Sequence, residues 1–136
     1  MVEAFSNLGG SMAAQKILIV DDDPDFKQLL IFDLKREGYE TVTAANGEEG
    51  LAKVNSEKPN LIILDIKMPK VDGYTFVRRL NKECEIKDIP IIVLTSYEPM
   101  KEMFKLEGVK DYFVKSADMR TLMAAVKKYS SQTSLL

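Results

Sequence analysis

The sequence contains no histidine among its 136 residues. Histidine is the commonest general base and the commonest zinc ligand in proteins, and it activates the nucleophile in Ser/His and Cys/His pairs. Its absence therefore argues against most hydrolase mechanisms and against a zinc site.

Cysteine, long apolar runs and a strong charge imbalance are also missing. Cys84 is the only cysteine, which excludes an internal disulfide and favours a reducing compartment. No apolar run approaches the ~20 residues needed to cross a bilayer, and the N-terminal stretch lacks the apolar core of a signal peptide. Nineteen basic and 21 acidic residues give a net charge of -2, which offers no general attraction to nucleic acid or membrane. We expect a cytoplasmic protein that binds neither of them through this chain.

The chain length suits one domain, and a hydrophobic content of 46% is sufficient for its core. Residues 1–14 show no sustained periodicity and contain the flexible sequence Gly9-Gly10-Ser11. We interpret them as a disordered N-terminal extension or a cloning remnant. Residues 15–130 are predicted to form the domain, and residues 131–136 a C-terminal tail that frays from about Ser130.

Short apolar segments alternate with amphipathic ones along the domain. The pattern predicts five strands and five helices; the strands cover about 17–20, 40–44, 61–64, 91–94 and 112–114, and the helices about 24–37, 48–56, 74–84, 98–106 and a last one from about 119. Such alternation implies right-handed crossovers and a doubly wound parallel α/β sheet with helices on both faces.

The first helix has a clear start signal. Asp23 is a predicted N-cap, and Pro24 occupies the first helical position. We expect this helix to bury one stripe of apolar side chains against the sheet: Phe26, Leu29, Leu30 and Leu34.

Polar residues follow four of the predicted strands. They are Asp21 and Asp22, Asp65, Thr95, and Lys115. Open parallel sheets bind ligands at the carboxyl ends of their strands. Three carboxylates, a hydroxyl and an ammonium are the groups that hold a divalent cation beside a phosphoryl group.

Each residue of this set has a structural alternative. Asp21 and Asp22 could be turn or capping residues, but a crowded acidic pair is costly unless a cation relieves the repulsion, so a metal site is favoured there. Asp65 could simply begin a turn, but near the acidic pair it is either a third metal ligand or a nucleophile that attacks an activated phosphoryl group. Thr95 has the spacing of a capping residue for the next helix, and Lys115 could extend into water, although its ammonium would also offset the carboxylates.

Four ordered motifs resemble the receiver domain of two-component response regulators. They are VDDDP at 20–24, LDIKMPKVDG at 64–73, IIVLTS at 91–96 and DYFVKS at 111–116. The similarity covers about residues 16–129. It implies a flavodoxin-like sheet with the strand order 2-1-3-4-5.

The resemblance implies a magnesium site. Asp22 is similar to the direct Mg²⁺ ligand, Asp21 to its water-bridging neighbour, and the backbone carbonyl of Lys67 to a further protein oxygen on the metal, with Asp65 completing the set. Mn²⁺ is the second candidate ion.

The resemblance also implies a phosphorylation switch rather than an enzyme. Asp65 resembles the phosphoacceptor for a phosphohistidine on a histidine kinase or phosphotransfer protein, and the chain would assist its own phosphorylation and dephosphorylation. Thr95 resembles the switch hydroxyl, Lys115 the ammonium that pairs with the phosphoryl group, and Tyr112 the aromatic residue that turns inward when Thr95 moves. A downstream protein would bind the face formed by the predicted fourth helix, fifth strand and fifth helix, and a phosphorylation-dependent homodimer stays open.

One departure from the family concerns Ser116. The family usually has proline after the lysine, in a cis peptide, whereas a cis bond before a residue other than proline costs about 2.5 to 4 kcal/mol. We therefore predict a trans peptide between Lys115 and Ser116.

Two other functions remain as alternatives. The first is a receiver-like binding module that works without phosphorylation. The second, less favoured, is an aspartyl-phosphate phosphatase on a similar sheet; such enzymes generally carry a second aspartate two residues after the nucleophile, where this chain has Lys67.

Overall fold

A five-stranded parallel sheet forms the centre of the computed structural model, which describes residues 14–65, 72–83, 89–95, 108–115 and 118–134. The elements alternate along the chain: β1 (Lys16–Val20), α1 (Pro24–Arg36), β2 (Glu40–Ala44), α2 (Gly47–Glu57), β3 (Leu61–Leu64), α3 (Gly73–Glu83), β4 (Ile91–Thr95), β5 (Asp111–Val114) and α4 (Met119–Ser134). The strand order is β2-β1-β3-β4-β5. The predicted fold class and strand order are confirmed.

The strands are apolar throughout because both faces of the sheet are covered. Successive residues of a strand point to opposite faces, and the core accordingly divides into two clusters. Leu18, Ile62 and Leu64 pack with the buried side chains of α2 and α3. Ile17, Ile19, Ile63 and others pack with those of α1 and α4.

The register places the ends of neighbouring strands at one level. Val20 of β1 pairs with Leu64 of β3, and Thr95 of β4 pairs with Val114 of β5. The residues that follow these strands therefore emerge along the same edge of the sheet.

Helix α1 departs from the predicted burial pattern at one position. Leu30 and Leu34 are fully buried as expected, but Leu29, which we expected on the same stripe, is 59% exposed. Position 29 lies toward the outer edge of the stripe at 100° per residue, and the core beneath α1 is already filled by Leu30 and Leu34. The prediction for Leu29 was wrong.

The last helix is longer than the sequence indicated. Helix α4 continues to Ser134, past the point near Ser130 where we expected fraying. Ser130 is buried, and its hydroxyl lies 3.3 Å from that of Tyr39. This contact links α4 at Ser130 to Tyr39 in the connection between α1 and β2. The proposed domain boundaries themselves stay a prediction.

The predicted helix at about 98–106 lies outside the described residues, as do residues 1–13. Within the described ranges, none of the helices combines the length and the hydrophobicity that a membrane span requires.

Gly50 gives a test of how tightly α2 packs on the sheet. A Cβ at this position would lie 2.9 Å from the Phe76 ring and 3.1 Å from a methyl group of Val20, and both side chains are fully buried. We expect Gly50→Ala to lower the free energy of unfolding by about 1 to 3 kcal/mol through overpacking, despite the better helix propensity of alanine. Urea denaturation followed by circular dichroism measures the change.

Asn55→Ala is the matched control, because Asn55 is exposed on the same helix. It should change the free energy of unfolding by less than about 0.5 kcal/mol. Equal stabilities of the two variants would contradict the close packing at Gly50.

Candidate functional site

Asp21 and Asp65 are held side by side by the backbone of adjacent strands. The amide of Asp21 donates to the carbonyl of Ala44 at 3.0 Å, and the amide of Asp65 donates to the carbonyl of Val20 at 2.9 Å. Both residues thus continue the hydrogen-bond ladder one step past the strands. Both are nearly inaccessible, with 2% of Asp21 and 6% of Asp65 exposed.

Asp22 lies beside them but faces solvent. Each of Asp21, Asp22 and Asp65 offers a carboxylate oxygen, and the three oxygens lie within 4.8 Å of one another. The structure therefore brings together the three carboxylates that the sequence placed at the ends of two different strands.

Lys115 follows β5 and reaches across the sheet edge into this cluster. Its Nζ lies 3.0 Å from an oxygen of Asp21, 3.7 Å from one of Asp65 and 3.9 Å from one of Asp23, and only 17% of its side chain is exposed. The other oxygen of Asp21 accepts a hydrogen bond from the amide of Asp23 at 2.9 Å. Asp21 is therefore fixed at both of its oxygens.

Asp23 has two contacts of different kinds, of which the sequence indicated one. Its carboxylate caps α1, where it accepts from the amides of Asp25 at 3.1 Å and Phe26 at 3.2 Å. The predicted N-cap is confirmed, and so is Pro24 as the first helical residue. The proximity of Asp23 to Lys115 was not foreseen, because a capping motif says nothing about what lies above the helix end.

The ring of Phe26 is a further neighbour that sequence analysis missed. Lys115 Nζ lies 4.7 Å from the centroid of this ring. We had counted Phe26 only as part of the apolar stripe of α1. Its spacing in the sequence carries no signal for a contact with a residue nearly ninety positions away.

The electrostatics of the cluster favour a charged Lys115. Burial alone would lower its pKa, but the hydrogen bond to Asp21 and the charges of Asp21, Asp65 and Asp23 outweigh burial and raise the pKa. Because the pKa is raised, the charged Lys115 contributes to the free energy of unfolding. This contribution is fully present below the ordinary lysine pKa of about 10.4 and is lost only as the pH rises through the pKa of the folded state. Lys115 is therefore an ammonium at neutral pH.

The donor set fits a hard divalent cation. Asp21, Asp22 and Asp65 bring three carboxylate oxygens within 4.8 Å of one another, and the Lys115 ammonium beside Asp21 and Asp65 carries a single positive charge. Mg²⁺ prefers oxygen ligands and needs only one or two carboxylates beside its waters. An exposed ligand such as Asp22 beside buried ones leaves room for those waters.

For several predicted site residues, the structure describes only part of the residue or none of it. Lys67 and Ser116 lie outside the described residues, so the backbone carbonyl of Lys67 and the Lys115–Ser116 peptide stay predictions. Thr95 ends β4 in register with β5, but its side chain is outside the description. Tyr112 is 8% exposed and belongs to the core cluster of α2 and α3.

Comparison with known proteins identifies what this arrangement is similar to. The sequence model of the response regulator receiver domain matches residues 17–127. The regulatory protein PhoP of Bacillus subtilis is 40% identical over 115 residues, which are 83% of this chain and 47% of PhoP. Protein PilH of Pseudomonas aeruginosa is 36% identical over 113 residues, which are 82% of this chain and 93% of PilH.

The chain spans about half the length of several curated relatives, including PhoP. Among solved structures, the response regulator TrrA of Thermotoga maritima, described as a complex with Mg²⁺-BeF, superposes with a TM-score of 0.77 and 40% identity. The superposition covers 85% of this chain and 98% of TrrA.

Removing the Lys115 ammonium tests how much it stabilises the cluster. Lys115→Met keeps an aliphatic stem but leaves Asp21 and Asp65 buried without it, so the free energy of unfolding at pH 7 in EDTA should fall by about 1 to 3 kcal/mol. Chemical denaturation followed by circular dichroism measures this loss. Lys127→Met, at an exposed position of α4, is the control and should have little effect.

The loss should shrink when Mg²⁺ is added, because a second source of positive charge then offsets the carboxylates. Identical stabilities of Lys115→Met and Lys127→Met in EDTA would show that the ammonium does not stabilise the carboxylates.

Proposed function

The chain belongs to the receiver-domain family of two-component response regulators, and we propose that Asp65 is its phosphoacceptor. The observation that carries this proposal is the convergence of Asp21, Asp22 and Asp65 around the Lys115 ammonium at one edge of the sheet. The phosphoryl donor is a phosphohistidine on a histidine kinase or a histidine phosphotransfer protein.

In the transfer, a carboxylate oxygen of Asp65 attacks the phosphorus atom in line with the departing imidazole nitrogen. The new O–P bond forms as the N–P bond breaks, and the imidazole leaves with the electron pair of that bond. A carboxylate nucleophile needs no general base, and catalysis consists mainly of positioning and charge neutralisation. Lys115, 3.7 Å from Asp65, is placed to pair with the transferred phosphoryl oxygens.

Asp22, Asp21 and Asp65, together with the backbone carbonyl of Lys67, would hold the metal, with Mg²⁺ as the favoured ion and Mn²⁺ as the second candidate. A bound divalent cation supplies positive charge that offsets the repulsion between the carboxylates and the incoming phosphoryl group. Asp21 is engaged by Lys115 and by the amide of Asp23, which suits a ligand that reaches the ion through water.

The output of the switch is a change in partner binding. Phosphorylation adds a dianion at Asp65, draws the Thr95 hydroxyl and Lys115 toward it, and shifts Tyr112 between arrangements. The resulting change would be transmitted to a downstream protein through the face formed by the segment after β4, β5 and α4. The protein acts in the cytoplasm, is not an enzyme in its own right, and binds no nucleic acid through this chain.

Two other functions are distinguished from this one by their chemistry. A binding module that works without phosphorylation would not be modified at Asp65. An aspartyl-phosphate phosphatase would turn over its substrate continuously, and position 67, where such enzymes carry a second aspartate, is lysine.

Helix α1 offers a surface where the phosphodonor protein can dock. Leu29 and Phe32 are the large apolar side chains that are exposed within the described residues, at 59% and 63%. Phe32 also lines a shallow groove with Gln28, Ile31, Lys35 and Arg36. A single exposed apolar side chain is ordinary. Leu29 and Phe32, however, lie on adjacent turns of one helix and form a continuous apolar surface.

The position of this surface beside the site supports the phosphodonor protein as its occupant. Helix α1 begins at the site, since its cap Asp23 lies 3.9 Å from Lys115 Nζ. With a rise of about 1.5 Å per residue, Leu29 lies roughly 9 Å and Phe32 roughly 14 Å along the helix from Asp23. A protein that brings a phosphohistidine to Asp65 must cover these turns.

Phosphorylation by a small donor tests the proposed function. Incubation with acetyl phosphate and Mg²⁺ should add one phosphoryl group per chain, detected by intact-protein mass spectrometry, and Asp65→Asn should abolish the addition. Glu57→Gln changes a carboxylate that pairs with Lys16 at the start of β1, the end of that strand opposite to Asp21, and should leave the modification intact. An unmodified wild-type protein would support the binding module, and continuous hydrolysis of acetyl phosphate without accumulation would support the phosphatase.

Docking on α1 is tested by comparing a protein donor with a small one. Leu29→Asp should slow transfer from a purified histidine kinase that phosphorylates the wild type by about tenfold, since an apolar contact at an interface centre is replaced by a charge. Its rate with acetyl phosphate should be unchanged, because that small donor reacts at the start of α1 and does not reach Leu29. Asn55→Asp, on the opposite face of the sheet, is the control. Equal effects with both donors would contradict docking at Leu29.

A further inference from the structure

The Lys115 ammonium has one neighbour that carries no charge. Besides three carboxylates, its Nζ lies 4.7 Å from the centroid of the Phe26 ring. The face of an aromatic ring attracts a cation within about 6 Å of its centroid, and the attraction increases when the pair is shielded from water. Only 17% of the Lys115 side chain is exposed, so this pair is largely shielded.

Phe26 is held in place from two sides. Its backbone amide donates to the carboxylate of Asp23 at 3.2 Å, so the cap of α1 fixes the start of the helix and with it the position of the ring. On the sheet side, the half-buried ring packs against the core cluster of α1 and α4. The ring is therefore a fixed surface, whereas lysine has a flexible stem of four carbons.

The Lys115 side chain could also adopt an orientation that points away from the site. Its partly exposed side chain could turn its ammonium into water, where hydration competes with the carboxylates. A ring beside the ammonium favours the orientation toward the site. The ring takes up no N–H donor in a conventional hydrogen bond, so the donors that remain beside the one given to Asp21 stay available for oxygen acceptors.

We propose that Phe26 is a positioning residue for Lys115: its ring holds the ammonium over the carboxylates and leaves the N–H donors that are not given to Asp21 available for the phosphoryl group that arrives at Asp65. This inference rests on the proposed function, because it assigns Phe26 a role in that reaction. The ring does not touch the reacting atoms and acts only through Lys115.

The kinetic test measures the rate of phosphorylation by acetyl phosphate with Mg²⁺. Phe26→Leu keeps an apolar side chain of similar burial but removes the ring, and it should slow the reaction by about threefold to tenfold. Phe113→Leu is the matched control, since Phe113 is another half-buried phenylalanine packed against the same core cluster. A loss of packing alone would slow both variants equally, and that result would overturn the proposal.

A double-mutant cycle separates positioning from packing. If Phe26 acts through Lys115, Phe26→Leu should cause no further slowing when Lys115 is already methionine. The same slowing in both backgrounds would overturn the proposal. Fluorinated phenylalanine at position 26 keeps the size of the ring while weakening the attraction of its face for cations, so the rate should fall with each added fluorine even if Phe26→Leu folds poorly. A rate that does not depend on fluorination would also refute a role of the ring face.

A spectroscopic measurement keeps this proposal distinct from the proposed function. The ring current of Phe26 should shift the proton signals of the Lys115 ε-methylene group, and Phe26→Leu should return them to ordinary lysine positions. This measurement needs no phosphoryl donor. If the wild-type protein is not phosphorylated, the proposed function fails, but the chemical shift still decides whether the ring holds the ammonium. An ordinary Lys115 signal in the wild type would overturn the positioning role.

Discussion

The ion pair between Lys115 and Asp21 is the interaction on which the site depends. The register of β1 and β3 forces Asp21 and Asp65 to emerge next to each other in a nearly inaccessible position, where two like charges repel strongly. The ammonium, 3.0 Å from Asp21 and 3.7 Å from Asp65, offsets part of that repulsion. Without the ammonium, the repulsion between the two carboxylates would oppose the packing of β1 against β3.

Helix α1 connects this electrostatic centre to the surface of the molecule. Its cap, Asp23, lies within reach of the ammonium, its third residue, Phe26, supplies the ring beside that ammonium, and its middle turns expose Leu29 and Phe32. One helix thus contributes to charge, to positioning and to a contact surface. A substitution in α1 must be interpreted with all three in mind, because a change at the cap also displaces the ring.

The sequence predicted the sheet well because its signals are local. Four-residue apolar runs and Pro24 after a capping aspartate each report the backbone around them, and the polar residues after the strands could be placed at one edge by topology alone. The exposure of Leu29 and the contact between Phe26 and Lys115 depend on how distant elements pack. No spacing in the sequence encodes the rotation of α1 against β5, so these features needed the structure.

The charges of the cluster bear on why the proposed phosphoacceptor site would use both a lysine and a metal. Asp21, Asp22 and Asp65 lie together beside one ammonium, and an incoming phosphoryl group would add negative charge. A second buried lysine would stabilise the resting protein but would also bind the carboxylates permanently, and it would remove the nucleophilic character of Asp65. A divalent cation held partly through water offsets the same charge reversibly. Under the proposed function, carboxylates that a single ammonium neutralises only in part would leave Asp65 able to act as the nucleophile, and the covered, apolar sheet would offset the cost in stability.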